Sequence, residues 1–312
     1  MLAGEYAVLD GADAWCAAVN RRVAVRDDGD APFTPPEARA AWTEAATDGL
    51  LRAVPADGAA FFDPSGLADH GRKLGLGSSA ALCVAGLAWA VAREHGAASV
   101  DPHRDAIALF ARRGHRAAQG GGSGVDVLAS AYGGVVRVGF EDGVPQVTRH
   151  ALPAGLRWRT YWSGTPVRTP AMITAVRALQ ARDAGIYGAC MAAVRAATES
   201  FGDALLRADA ADLVRAVDCL GIALDDLGTA AGVPVVTPSM RRLAEAARSH
   251  GAAVKPSGAG GGDVVLAFAT NDGALDALAA VASADGLVAV DLAVDDAGVS
   301  VREPGPVEPA AR

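Results

Sequence analysis

The chain contains 28 Lys and Arg residues, yet only Lys73 and Lys255 are lysines, and each borders a glycine-rich segment. Lys73 stands in "GRKLGLGSSAA" (residues 71–81) and Lys255 opens "KPSGAGGGD" (residues 255–263). A composition that favours arginine everywhere else makes these two positions the first to examine. Gly75 and Gly77 let the backbone turn tightly and approach a ligand closely. A helix predicted to start at Ser78 would direct unpaired N–H groups and its positive dipole end into that turn. The hydroxyls of Ser78 and Ser79 suit phosphate oxygens or Mg²⁺. The segment lacks the Lys directly before Ser/Thr of a Walker A loop and the third glycine of a dinucleotide fingerprint. Taken alone, it fits a serine-capped helix after a glycine turn equally well.

Two further segments carry candidate chemistry. In "GGGSGVDV", Asp126 follows Gly124 by two residues, and a carboxylate there is placed for proton transfer or cation binding. A turn aspartate that satisfies nearby backbone N–H groups is the commoner reason for such a pattern. Residues 258–263 include four glycines between two apolar runs. Each glycine weakens a sheet, so their density points to close approach of the backbone to a ligand or to another chain segment.

These loops need elements to hold them. Residues 3–28 read as two short strands joined by a turn at Asp10-Gly11, and residues 36–47 as a short helix. The run "SSAALCVAGLAWAVAREHG" reads as a helix capped by serine, with Leu82, Ala85 and Ala88 at apolar spacing and Gly96 as its stop. Asp101-Pro102 supplies an N-cap and first-turn proline for a helix running to Gln119. The Asp126 segment reads as loop, short helix and strand, and "LRWRTYWSG" as a strand. Three or four helices follow between residues 170 and 250, the last opened by Thr237-Pro238. "AAVKPSGAGGGDVVLAFA" reads as strand, tight loop, strand, and "DGLVAVDLAV" and "GVSVRE" as further strands. The tail "EPGPVEPAAR" has a disordered composition. No internal repeat is present. The plan is α+β in two lobes, with the boundary near residue 155.

At 312 residues the chain can bury a substantial core, and two domains are expected. Hydrophobic residues make up 51% and charged residues 21%, as in ordinary soluble proteins. A net charge of −8 argues against nucleic-acid binding but not against small anions held in a locally positive cleft. Cys16, Cys83, Cys190 and Cys219 lie far apart among apolar neighbours and are expected to be buried, reduced thiols. No targeting segment and no apolar run of about 18 residues is visible, so the cytoplasm is the expected location, with no membrane partner.

Taken together, "AGEYAVLDG", "GLGSSAA" and "KPSGAGGGD" resemble the three motifs of the GHMP kinases, and the resemblance extends over most of the chain. It is closest to the phosphomevalonate kinase branch, through "KLGLGSSAALCVA", "GHRAAQGGGSGVDVLASAYGG", "YWSGTPVRT" and "VTPSMRRLAEAARSHGAAVKPSGAGGGD". The resemblance implies a two-lobed fold: an N-terminal ATP-binding α+β lobe over residues 1–155 and a C-terminal ferredoxin-like α+β lobe over 156–312. By the same resemblance, Gly75, Leu76, Gly77, Ser78, Ser79 and Ala80 would wrap the ATP phosphates, and Ser79 would ligate Mg²⁺. Lys73 would lie against the transferring phosphoryl group and Asp126 would be the active-site aspartate. Ser257, Gly258 and Ala259 would approach the acceptor, with Tyr6, His115, Ser123 and Gly124 as further acceptor-binding candidates. The implied partners are ATP, Mg²⁺ and a small anionic acceptor, with 5-phosphomevalonate favoured, and the assembly is a monomer or homodimer.

The acceptor decides the role of Asp126. An alcohol such as mevalonate must lose a proton as it attacks, which calls for a general base. A phosphate monoester with a second pKa of about 6 is already mostly dianionic at neutral pH, so Asp126 would instead orient Lys73 or a metal-bound water. The chain departs from the family pattern at two places. The family's first motif includes a lysine in a "GK" pair that has no counterpart here, and Arg112, Arg113, Arg116 or Arg168 are the candidate replacement charges. Mevalonate kinases place a Glu metal ligand about where His115 stands, which counts against mevalonate. The alternatives are mevalonate kinase or another GHMP small-molecule kinase, and, from a different class, a non-catalytic nucleotide- or metabolite-binding homologue.

Overall fold

The computed structural model describes residues 1–27, 33–69, 72–167 and 169–302. Gly71, Arg168 and the tail at 303–312 therefore lie outside the described residues. The strands are β1 (Ala14–Ala17), β2 (Ala24–Arg26), β3 (Phe61–Asp63), β4 (Ala68–Asp69), β5 (Arg72–Lys73), β6 (Val135–Glu141), β7 (Val144–His150), β8 (Arg157–Trp162), β9 (Ala253–Pro256), β10 (Val264–Ala269) and β11 (Val288–Val290). The helices are α1 (Pro36–Thr47), α2 (Ser78–His95), α3 (Arg104–Gln119), α4 (Val125–Tyr132), α5 (Thr169–Arg182), α6 (Ala184–Leu206), α7 (Ala210–Ala231), α8 (Pro238–Ser249), α9 (Asp272–Asp276) and α10 (Ala279–Ala284). The class is α+β, as expected.

One compact unit comprises Met1–Arg22, Ser65–Ser78 and Gly133–Asp296. It holds an antiparallel sheet of order β1-β6-β7 and another of order β11-β8-β10-β9. All six residues of β10 are buried, which is why that stretch is continuously apolar rather than alternating. Strand β10 pairs with β8 through Leu266↔Thr160 and with β9 through Leu266↔Lys255. Helices α5 to α8 contribute Leu179, Phe201, Leu220 and Leu243 to the same core as Phe268. Trp15 of β1 packs on Phe201 of α6 with ring centroids 6.1 Å apart. Burying such aromatic and aliphatic surface contributes roughly 1.5–3 kcal/mol per large side chain.

A second unit comprises Val23–Pro64, Ser79–Tyr132 and Ala297–Arg312, with helices α1, α3, α4 and most of α2 and the β2-β3 ribbon. Trp42 of α1 is fully buried and its indole N–H donates to the Gly86 carbonyl at 2.8 Å. Gly114 of α3 lets α1 approach closely: a Cβ there would lie 2.3 Å from the Ala41 nitrogen.

Several local expectations require correction. Residues 3–10 do not form a strand. Positive φ at Gly4 and Tyr6 breaks the extended run, leaving an isolated Ala3↔Trp15 bridge and a 3₁₀ turn over Ala7–Asp10, closed by left-handed Gly11. Helix α3 starts at Arg104 with His103 at its N-cap position, and the Asp101 carboxylate, expected as the cap, instead accepts from the Arg104 guanidinium at 2.5 Å. On α2 the buried face includes Cys83, Leu87 and Val91 together with Ala88 as read, while Leu82 and Ala85 are half-buried. "GVSVRE" forms no strand among the described residues. Cys16 and Cys83 are buried thiols, Cys190 is half-buried, and Cys219 is exposed on α7, against expectation. No described helix is long and apolar enough to cross a membrane.

Two glycine substitutions test this packing. Gly114→Ala is expected to lower the unfolding free energy by about 2 kcal/mol through overpacking against α1. Gly188→Ala, on an exposed face of α6 where an added Cβ meets nothing within 4 Å, is expected to raise it by about 0.5–1 kcal/mol. Urea unfolding of the two variants beside the parent chain measures both.

Candidate functional site

The first unit organises its site around the loop between β9 and β10. Lys255 ends at Glu5, with Nζ 2.5 Å from Oε1 and side-chain exposures of 0% and 1%. This lysine is sealed inside the protein and offers no charge to a ligand, unlike Lys73. Ser257 continues the pairing by donating its N–H to Val264, while its hydroxyl donates to the Met1 carbonyl at 3.2 Å. The Tyr6 hydroxyl donates to the Ala259 carbonyl at 2.5 Å, and burial together with the field of Glu5 pushes its acidity far down. Tyr6 itself has φ 60° and ψ −47°, and the Ala7 N–H returns to the Glu5 carbonyl at 2.6 Å, which makes a γ-turn of the rare, strained hand.

The glycine density of this loop has a direct cause. A Cβ at Gly260 would lie 2.3 Å from the Val235 carbonyl, and one at Gly262 would lie 2.4 Å from the Thr165 carbonyl. Close approach to other chain segments therefore explains these two glycines. Gly258 differs, because a Cβ there meets nothing within 4 Å. The open part of the loop lies there, between half-buried Ser257 and Ala259.

Lys73 sits exposed on β5, opposite Ala68 of β4, and makes no ion pair with a described residue. Leu74, next along, is buried against Trp162, Val290 and Leu292 and fixes the strand from which Lys73 projects. Gly75 has φ 74°, and a Cβ added to it would lie 2.3 Å from Cγ of Asp263. No other residue fits that position. Asp263 adopts φ 49°, and burial pushes its carboxyl upward against the opposing effect of the Val167 N–H. Leu76 is half-buried, Gly77 again has positive φ, and Ser78 begins α2. A helix start leaves its first four N–H groups without intrahelical partners, so this turn offers donors to an anion.

In the second unit, Ser79 Oγ lies 3.1 Å from His115 Nε2 and accepts from Gln119 Nε2 at 3.0 Å. Ala80 is buried behind it. Arg112, 6% exposed, lies beneath the Asp126 loop: its Nε donates to the Ser123 carbonyl at 3.1 Å, and a Cβ on Gly124 would lie 2.7 Å from its Cγ. Asp126 stands exposed in the first turn of α4, with Oδ1 accepting from the Val127 N–H at 3.0 Å. Cys83 is pushed well upward by burial and then by the fields of Glu37 and Asp126, so its thiol stays protonated. Arg113 is paired to Asp48. No group of three or more His, Cys, Asp or Glu that could hold a metal occurs among the described residues.

Sequence reading overlooked Glu5, Gln119 and the supporting use of Arg112. Glu5 did carry a signal, since a carboxylate inside the apolar run "LAGEYAVL" calls for a buried cation.

Comparison with known proteins places these features in a family. Residues 69–134 match the GHMP kinases N terminal domain and residues 204–286 match the GHMP kinases C terminal domain. The chain belongs to the GHMP kinases, and the mixed helices and sheets described above are that fold. Among individual proteins, it is 30% identical over 225 residues to the phosphomevalonate kinase of Streptomyces sp. (strain CL190), covering 65% of this chain and 59% of the relative's length. The Lin0012 protein of Listeria innocua shares the fold with TM-score 0.81 and 23% identity, covering 94% of both chains. Streptococcus pneumoniae phosphomevalonate kinase, in complex with phosphomevalonate and AMPPNP, does so with TM-score 0.74 and 17% identity over 94% of this chain and 96% of that one.

The raised acidity value of Asp263 has a consequence for stability. Its protonated form is the one the fold prefers, so its contribution is favourable below the unfolded-state value and is lost as pH rises through the higher folded value. Asp263→Asn also suits the left-handed backbone and is expected to raise the urea midpoint at neutral pH. That gain should shrink towards about pH 4, and a gain equal at both pH values would contradict the desolvation argument.

Proposed function

We propose that the chain is an ATP-dependent phosphotransferase whose acceptor is 5-phosphomevalonate, with 5-diphosphomevalonate as product. The observation that carries this reading is the exposed Lys73, without an ion-pair partner among the described residues, directly before the glycine turn that opens α2, in a GHMP kinase whose 30%-identical relative is a phosphomevalonate kinase. The turn of Gly75, Leu76 and Gly77 with Ser78, Ser79 and Ala80 fits a polyphosphate, through positive-φ backbone and free helix N–H groups. With its own proton donated to His115 Nε2 and one hydrogen bond accepted from Gln119, the Ser79 hydroxyl keeps a lone pair, which fits a single oxygen ligand to Mg²⁺. Mg²⁺ is commonly held by one or two protein oxygens together with phosphates and waters, so the lack of a three-ligand cluster among the described residues is compatible with it. Bound Mg-ATP would supply the electrophilic phosphorus and part of the neutralising charge.

The protein's own task is to offset the repulsion between two polyanions and to hold them in line. Lys73 supplies mobile positive charge to the transferring group. Ser257, Gly258 and Ala259 present backbone and hydroxyl groups to the acceptor at the open part of their loop. His115, Ser123 and Gly124 contribute polar contacts, with the His115 ring steadied by Ser79 and Ser123–Gly124 by Arg112. A phosphate acceptor arrives largely deprotonated, since its second pKa is about 6, so Asp126 orients rather than abstracts.

An ADP-release assay with Mg-ATP and either 5-phosphomevalonate or mevalonate tests this. Turnover is expected with phosphomevalonate, and turnover with mevalonate alone would overturn the acceptor assignment. Lys73→Ala is expected to lower kcat by about 100-fold or more with an unchanged circular dichroism spectrum. Asp126→Asn is expected to cost far more with any alcohol acceptor that turns over than with the phosphate acceptor, and equal losses would contradict the orienting role.

A further inference from the structure

Neighbouring residues Glu5 and Tyr6 reach opposite parts of the third glycine loop. Glu5 holds Lys255 at the root of the loop, 2.5 Å away, and Tyr6 holds the Ala259 carbonyl near its tip, also at 2.5 Å. The γ-turn at Tyr6, closed by the Ala7 N–H on the Glu5 carbonyl, sets both side chains on one short, stiff piece of backbone. We infer that Glu5, Tyr6 and Lys255 are positioning residues: the buried ion pair and the Tyr6–Ala259 hydrogen bond fix the backbone of residues 257–259 in the conformation that receives the acceptor. The inference rests on the proposed function for the identity of that ligand.

Three observations support it. First, the pair is poorly explained by packing alone. Glu5 Oε2 is buried without a hydrogen-bond partner, and an apolar pair of similar volume would fill the same space without that desolvated oxygen. An ion pair adds direction, because Lys255 Nζ must meet Glu5 Oε1 and the Met1 carbonyl, 3.5 Å away, which ties β9 to the start of the chain one residue before the strand ends. Second, the remaining loop attachments hold Ser257, through its N–H on Val264 and its hydroxyl on the Met1 carbonyl, and leave Gly258 and Ala259 free. Gly261 N–H goes to Val235 and Asp263 N–H to Thr165, so the far half of the loop is held independently. In the near half, beyond Ser257 and around open Gly258, the hold among the described residues is the Tyr6 hydroxyl on the Ala259 carbonyl, with the Glu5–Lys255 pair at the root. Third, Tyr6 keeps a backbone conformation that is strained for any residue but glycine, and such strain persists where surrounding contacts over-determine it. The Tyr6 hydroxyl hydrogen is committed to Ala259, so its effect on an acceptor passes through the loop.

The test uses Tyr6→Phe, which removes one hydroxyl, and the double variant Glu5→Gln/Lys255→Met, which removes both charges together and leaves neither stranded. Each is examined by amide hydrogen exchange and by steady-state kinetics with Mg-ATP and 5-phosphomevalonate. Tyr6→Phe is expected to speed exchange of the Ser257 and Gly261 amides, the hydrogen-bonded amides that flank Ala259, by about tenfold, with β10 and the helices unchanged. Acceptor KM is expected to rise by about tenfold while the KM for ATP moves less than about twofold and kcat falls less than acceptor KM rises. The double variant is expected to act in the same direction and more strongly. Unchanged loop exchange in both variants, or a rise spread evenly over all strands, would overturn the anchoring. Faster loop exchange with acceptor KM unmoved would overturn the link to acceptor binding. If the parent chain turned over neither acceptor, the proposed function and the acceptor half of the inference would fall together, and exchange would still decide the anchoring.

Discussion

A carboxylate and an ammonium with almost no solvent exposure, 2.5 Å apart and 250 positions apart in sequence, join the start of the chain to its last glycine loop. Charges withdrawn from water this completely are tolerated only in close geometry, and removing one partner strands the other at a cost of about 3–5 kcal/mol. Much of the first unit's site depends on that contact. It ties β9 to the start of the chain, the adjacent γ-turn carries Tyr6 to Ala259, and the loop continues to Asp263, whose side chain occupies the space that Gly75 leaves open. The glycine turn after Lys73 is therefore supported by the same loop that the ion pair anchors. The two lysines have opposite settings: one is consumed internally, and the other is left exposed.

Much of this was legible in the sequence because glycine is a costly residue. The segments 75–77, 120–124 and 258–263 could be singled out without a structure, since only a turn, a ligand or a close approach justifies them. Their partners were less legible. That Gly260 and Gly262 yield to Val235 and Thr165 depends on strand and helix placement far along the chain, which no local pattern encodes. Lys255 illustrates the difficulty: adjacency to a glycine loop looks the same in sequence for a lysine that meets a phosphate and for one that meets Glu5. The acid in "LAGEYAVL" was the available clue.

The elements show a similar division. Helix α1 runs over Pro36–Thr47 as read, opened by a first-position proline without a side-chain cap, and Thr237 caps α8 by accepting from the Met240 N–H, so local residue chemistry marks both starts. Strand β7 went unread although Asp142-Gly143, both at positive φ, make the two-residue turn expected of a tight hairpin. The apparent strand at residues 3–10 failed for a tertiary reason: Gly4 is pressed against the Asp13 carbonyl, and Tyr6 bends back to reach Ala259. Apolar character there reflects burial in the core with Trp15 rather than strand pairing.

The central claim is transfer of a phosphoryl group from ATP onto an acceptor that is already a phosphate monoester. Phosphorus-31 magnetic resonance of the protein with Mg-ATP and 5-phosphomevalonate tests it most directly. The account predicts loss of the monoester resonance and growth of a coupled pair from a second diphosphate beside those of ADP. An unchanged monoester resonance, whether ATP persists or decays to ADP and inorganic phosphate, would contradict it.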